Sequence, residues 1–211
     1  MVPKNHQMPV LEKSTEELIQ ESLPKAVSYA EYIDKVSQLA SEGKSTGPNQ
    51  TEALSNYTLL NDRRMKRFGK TVKISEDATA KIEKISRKLT MLVLTESWCG
   101  DAAPSLPLMN KIAEKNENIE LKVLLRDENI ELMNRFLTNG AMSIPKLILL
   151  DDNNEPIAEW GPRPEPAAAM VQQYKIRYGK ILPELKEDLQ RWYNKDKGQM
   201  ILEELVELLT Q

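Results

Sequence analysis

The run Met91-Leu92-Val93-Leu94-Thr95-Glu96-Ser97-Trp98-Cys99-Gly100-Asp101-Ala102-Ala103 decides how the chain folds. Residues 91–95 are apolar or β-branched without alternation and too few for a stable helix, which predicts a strand buried on both faces. A helix follows over 103–115, so a strand passes straight into a helix with a cysteine in the turn between them. Working outward, 119–126 reads as a second strand and 129–137 as a helix. Residues 146–150 and 156–160 are two further strands, joined by Asp151-Asp152-Asn153-Asn154, a turn short enough to close a hairpin. A last helical region begins near Glu165, is broken by Gly179 and Pro183, and resumes from Glu184 to the end. Strand, helix, strand, helix, hairpin, helix is an α/β order.

Upstream the texture is helical, with apolar residues every three or four positions. Ser14 with Glu17, and Ser28 with Glu31, match the spacing at which a serine and a glutamate satisfy the free N–H groups of a helix's first turn. Pro24 separates these two starts. Tyr29, Tyr32, Ile33, Val36 and Leu39 then form one apolar stripe ending at Gly43, and 44–50 is a loop. A third helix is predicted over 51–68, burying Leu54, Tyr57, Leu60 and Met65. Its end carries Arg63, Arg64, Lys66, Arg67 and Lys70. Such a cluster either complements the helix dipole and faces water or contacts an anion. Ser75 opens a fourth helix through Ala78, Ile82, Ile85 and Leu89. The expected division is a helical extension over 1–89 and an α/β domain over 90–211.

The 211 residues carry 29 Lys+Arg against 32 Asp+Glu, a formal charge of -3, so no overall basic field exists to hold a nucleic acid backbone. With 1 Cys and 1 His, neither an intrachain disulfide nor a zinc site built on several Cys or His ligands can be assembled. A histidine-based triad would have to recruit His6, in what reads as an amino-terminal tail. The first ten residues have no apolar core of a leader, and the longest aliphatic runs are too short to span a bilayer, so a cytoplasmic protein without membrane or metal is expected.

Cys99 draws attention by its position. A sulfur at the start of a helix faces unpaired N–H groups and the positive end of the helix dipole, which favours the thiolate, the nucleophilic form. A depression of about one pKa unit from roughly 8.5 is the expectation. Asp101 opposes it as a second negative charge, yet the same carboxylate suits the first turn of a helix and serves equally well as a cap. Trp98 reads either as core or as a flat apolar wall for a docking peptide. Taken without its surroundings, Cys99 is also compatible with a small buried hydrophobe, and Pro145 with a trans proline opening a strand.

Trp98-Cys99-Gly100-Asp101-Ala102 resembles the Trp-Cys-Gly-Pro-Cys active site of the thioredoxin superfamily, with the resolving cysteine replaced by Ala102. Pro107 sits where the family kinks its active-site helix. Gly140-Ala141-Met142-Ser143-Ile144-Pro145, followed by residues 146–150, is similar to the family's Gly-x-x-x-Ile-Pro segment and next strand. Asn153-Asn154-Glu155 and Gly161 are counterparts of its polar hairpin and later glycine. The likeness covers about 90–177 and is closest to bacterial thioredoxin-family proteins with a helical amino-terminal extension.

The resemblance implies a thioredoxin-like fold with a mixed central sheet, in which Pro145 is a cis-proline facing Cys99. It implies Cys99 as nucleophile, with an extended substrate lying across Trp98, Gly100, Asp101, Ile144 and Pro145. Because Ala102 replaces the resolving thiol, and Val93 stands about where the family's buried acid would assist it, a self-contained disulfide reductase is not expected. Two readings follow. One is a monothiol redox protein whose mixed disulfides, with protein or small-molecule thiols, are released by an external thiol such as glutathione, with no bound cofactor. The other is a peptide- or protein-binding module without chemistry. A glutathione transferase fits less well, since most helices here precede the α/β part.

Overall fold

The computed structural model describes residues 12–180 and 182–211. Helices α1 (Thr15–Ser22) and α2 (Tyr29–Ser41) both start with closed capping boxes: Glu17 N donates to Ser14 Oγ at 3.2 Å while Ser14 N donates to the Glu17 carboxylate at 2.7 Å, and Ser28 and Glu31 repeat the pattern. A single turn of 3-10 helix with Pro24 lies between them. Helix α3 (Glu52–Thr71) is capped by Thr51 and α4 (Glu76–Glu83) by Ser75.

A four-stranded sheet follows, made of β1 (Leu89–Thr95), β2 (Ile119–Leu125), β3 (Lys146–Leu150) and β4 (Pro156–Trp160) in the order β2-β1-β3-β4. β1 runs parallel to β2 and antiparallel to β3, and β3 pairs antiparallel with β4. The parallel pair is bridged by α5 (Ala102–Ala113), as parallel strands require a crossover. The continuous apolar run of β1 is explained by its central place, with Met91 to Leu94 wholly buried. At the edge, β4 alternates and begins at Pro156, where a missing N–H does no harm. The other edge is covered: Val27 exchanges backbone hydrogen bonds of 2.9 and 2.8 Å with Val123 of β2.

After β2 comes α6 (Ile130–Met133), and after the hairpin α7 (Glu165–Tyr178), α8 (Pro183–Asp196) and α9 (Gln199–Leu209). Glu204 of α9 accepts from Trp160 Nε1 at 2.6 Å and from Glu165 N at 2.7 Å, joining the end of β4 to the open N-terminus of α7. Leu18, Ile19, Tyr32, Val36, Met65 and Ile82 of the first four helices share one apolar core with the sheet, α5 and α9. Ala167, Val171, Leu185 and Leu189 form a smaller core between α7 and α8.

Four sequence expectations need correction. Leu89 begins β1 rather than ending α4: the apolar spacing 78, 82, 85, 89 continues through a break at 84–88 that it cannot detect. The helix expected over 129–137 is a single turn. The last helix is divided at Lys197 and Gly198, both at positive φ. On α3 the buried face is Thr58, Asn61, Asp62 and Met65, while Leu60 is 39% exposed. Thr58 and Asn61 on that face meet the loop after β1, and Asp62 accepts from Ser37 Oγ of α2 at 2.6 Å.

Candidate active site

That loop carries Glu96, Ser97, Trp98, Cys99, Gly100 and Asp101 from the end of β1 into α5. Its first residues are gripped from the helical side. Ser97 N donates to Thr46 Oγ1 at 2.8 Å, Thr46 N donates to Ser97 Oγ at 2.9 Å, the Thr58 and Ser97 hydroxyls lie 2.7 Å apart, and Asn61 Nδ2 donates to the Ser97 carbonyl at 2.9 Å. Glu96, fully buried, accepts from the Thr46 hydroxyl and from Asp127 N. Burial pushes its carboxyl above the ordinary range, the donors from Thr46 and Asp127 pull it back, and the Asp127 charge pushes it up again. Gly47 closes this cluster: at φ +86°, a Cβ there would stand 2.7 Å from an Asp127 carboxylate oxygen. The loop is thus fixed before it reaches the cysteine.

Cys99 N donates to Glu96 O at 3.0 Å, turning the chain so that the sulfur lies over the start of α5. The thiol donates to the carbonyl of Ile144 at 3.1 Å, across the sheet end, where the Ile144–Pro145 peptide is cis. Behind Pro145 stands Gly161, whose own peptide to Pro162 is also cis; a Cβ at Gly161 would lie 2.3 Å from the Pro145 carbonyl oxygen. The sequence reading brings Cys99, Ile144 and Pro145 together, and they do meet.

The protonation expectation for Cys99 is overturned. The residue is only 6% exposed, and burial, with the Asp101 charge second, pushes its thiol up to about 12. Hydrogen bonds from Ala102 N–H and Asp101 N–H, and the charge of Arg163, act the other way without prevailing. The helix start supplies the donors that were anticipated, but loss of solvent outweighs them.

Asp101 is not a side-chain cap. Its backbone is already near helical, φ -76° and ψ -20°, and it makes no capping bond. Both carboxylate oxygens turn away: Arg163 Nη2 is 2.6 Å from one, and Tyr193 Oη of α8 donates to the other at 3.0 Å. Burial pushes the Asp101 carboxyl up, while Arg163 and Tyr193 hold it down in part. A charged tie therefore runs from the residue two places after the cysteine to the carboxy-terminal helices.

Trp98 is half-buried with the Arg126 guanidinium 5.0 Å from its ring centre. It lines a cavity of about 630 Å³ between α3 and α8 that Gly100 and Asp101 also border. Gly100 is exposed and has open space beside its Cα. Thr46, Thr58, Asn61, Glu96, Ser97, Arg163 and Tyr193 were missed by sequence reasoning. The serine, threonine and asparagine at helical spacing along α3 were the one available signal. His6 lies outside the described residues. Among the described residues no group of three or more His, Cys, Asp or Glu is placed to hold a metal, and no helix is long and apolar enough to cross a membrane.

A family profile described as thioredoxin matches residues 47–175. The profile begins inside the helical segment, at the glycine that closes the Thr46–Glu96 cluster. Among solved structures, a protein of unknown function from Pseudomonas aeruginosa is 18% identical, with 90% of this chain and 97% of that one covered at a TM-score of 0.54. An HIV epitope-scaffold is also 18% identical, covering 83% and 98%, at a TM-score of 0.48. No curated protein matches.

Proposed function

We propose, from the premise that this chain belongs to the thioredoxin family, that it works in thiol-disulfide exchange with Cys99 as its single nucleophile. The observation that carries this reading is the seat of the sulfur: it lies 3.1 Å from the Ile144 carbonyl beside Pro145 and accepts from the N–H groups of Asp101 and Ala102. Such a seat offers a thiolate two donors and sets a backbone carbonyl where an extended substrate would pair.

At rest the sulfur keeps its proton, and its hydrogen bond occupies the very carbonyl that a docking strand would use. A substrate segment pairing with Ile144 would take that acceptor over and expel solvent from Gly100 and the Trp98 face. The Cys99 sulfur then attacks one sulfur of the substrate disulfide. The bond from Cys99 to that sulfur forms, the substrate S–S bond breaks, and the departing thiolate receives the cysteine proton. An external thiol, glutathione being the abundant type, attacks the substrate sulfur of the mixed disulfide, and Cys99 is released as the leaving thiolate and takes a proton back. The external thiol is needed because Ala102 offers no sulfur.

The test is incubation of the full chain with oxidised glutathione, followed by intact-mass measurement. One glutathione per chain on wild type, none on Cys99→Ser, and release by reduced glutathione are expected. Absence of any adduct from pH 7 to 10 would reject the exchange reading.

The depth of the thiol favours a second reading, a binding module of the same fold that uses the Ile144 edge and Trp98 face without chemistry. Under that reading Cys99→Ser binds peptide as wild type does and no adduct forms.

A further inference from the structure

The cavity beside Trp98 is more than a gap under α8. Helix α3 lines it with Tyr57, Leu60 and Arg64, one stripe at helical spacing, and α8 lines it with Leu185 and Leu189. Leu60, 39% exposed, is one of the cavity's lining residues. Its volume, about 630 Å³, is that of a small-molecule site, and its walls join apolar side chains to a few charges.

Those charges are unevenly spent. Asp101 is held by Arg163 at 2.6 Å, and the bordering Arg191 by Asp188 at 2.6 Å. Lys186 sits at the rim, its Nζ donating to Tyr57 Oη at 2.9 Å and lying 4.9 Å from that ring's centre. Glu187 also borders the space. Arg64 is different. No acid among the described residues pairs with it, and burial, with Arg67 as a like charge beside it, depresses its guanidinium. Helix-dipole complementarity acts within the last turn, which holds Lys70, and Arg64 precedes that turn. A half-buried cation without an acid partner, on a wall it shares with Lys186, is open to an anion from outside.

We propose that this cavity binds a small amphipathic carboxylate, its anionic end on Arg64 and its apolar body on Tyr57, Leu60, Trp98 and Pro183. Cys99 does not line the cavity, although Trp98, Gly100 and Asp101 of its loop do, so this site adjoins the exchange centre without using its sulfur.

Isothermal titration of the full chain with decanoate and with decan-1-ol, both below micelle formation, tests the proposal. Decanoate is expected to bind about tenfold more tightly than the alcohol. Arg64→Gln, at a half-exposed position that leaves the fold intact by circular dichroism, should bring decanoate to the level of the alcohol, a loss of about 1.4 kcal/mol for a tenfold change. Leu60→Asp, at an exposed site, should weaken both ligands. Cys99→Ser should change neither, which separates failure of the exchange reading from failure of this one. No decanoate binding, or an unchanged preference for the carboxylate in Arg64→Gln, would overturn it.

Discussion

A sulfur that donates to a carbonyl and sees almost no water remains a thiol until something changes its surroundings. Because burial and Asp101 raise the Cys99 thiol to about 12, alkylation by iodoacetamide should climb about tenfold per pH unit, in proportion to thiolate. No plateau should appear below pH 11. A plateau near pH 7 would show that the solvated thiolate prevails. Stability has the corresponding sign. The folded value lies above the ordinary 8.5 or so, so the unfolded chain releases its proton first and stability falls as pH rises from about 9 toward 12. Cys99→Ala should flatten that alkaline limb in a urea titration repeated across pH. Asp101 contributes separately, since its charge is the second cause raising the thiol. Asp101→Asn should therefore move the alkylation midpoint to lower pH, while loosening the tie to Tyr193. A midpoint that rises in this variant would mean that Asp101 acts on the sulfur by packing alone.

The elements around the site are locked by close approach more than by area. Gly161 has φ +111° at the end of β4, and its missing side chain leaves room for the Pro145 carbonyl. Gly161→Ala brings backbone against Cβ at 2.3 Å, which nothing flexible can relieve, so a cost of about 2 to 3 kcal/mol is expected. At about 2 to 4 °C per kcal/mol for a chain of this size, thermal unfolding should fall by at least about 4 °C. Thr46→Val leaves a buried Glu96 oxygen and Ser97 N without partners, and should cost about 1 to 3 kcal/mol in chemical denaturation. The strands and capped helix starts were legible in the sequence because a period of 2, a period of 3.6 and a box of four residues are all local. The turn of α5 around Cys99 and its encounter with Pro145 were legible through a known motif. What escaped has no local trace. Polar residues of α3 bury because Ser97 faces them, Asp101 turns from capping because Arg163 reaches it from beyond β4, and the cysteine loses its water to elements from the whole chain.

Across the whole molecule, two apolar cores of unequal size divide the labour. The larger unites the sheet with helices from both ends of the chain, so its stability is shared by everything it touches. The smaller lies between α7 and α8; α8 also sends Tyr193 into the larger core, and polar ties complete the attachment to the loop of Cys99: Tyr193 and, just before α7, Arg163 on Asp101, with Arg67 donating to Asn194 at 2.8 Å further along. A layer with its own core and polar fastenings opens at lower free energy than the sheet beneath it. Arg163→Met removes the charged fastening and leaves a buried carboxylate with Tyr193 alone, at a cost of about 2 to 4 kcal/mol. The expected result is faster hydrogen exchange in α7 and α8 with β1 and β3 unchanged, followed by mass spectrometry of peptides from each. Cys99 alkylation should accelerate in the same variant only if water reaching the sulfur outweighs the loss of the Arg163 charge, which by itself raises the thiol further. Uniform acceleration across the sheet would instead show that the two cores unfold as one, and that access to the thiol is set by global stability.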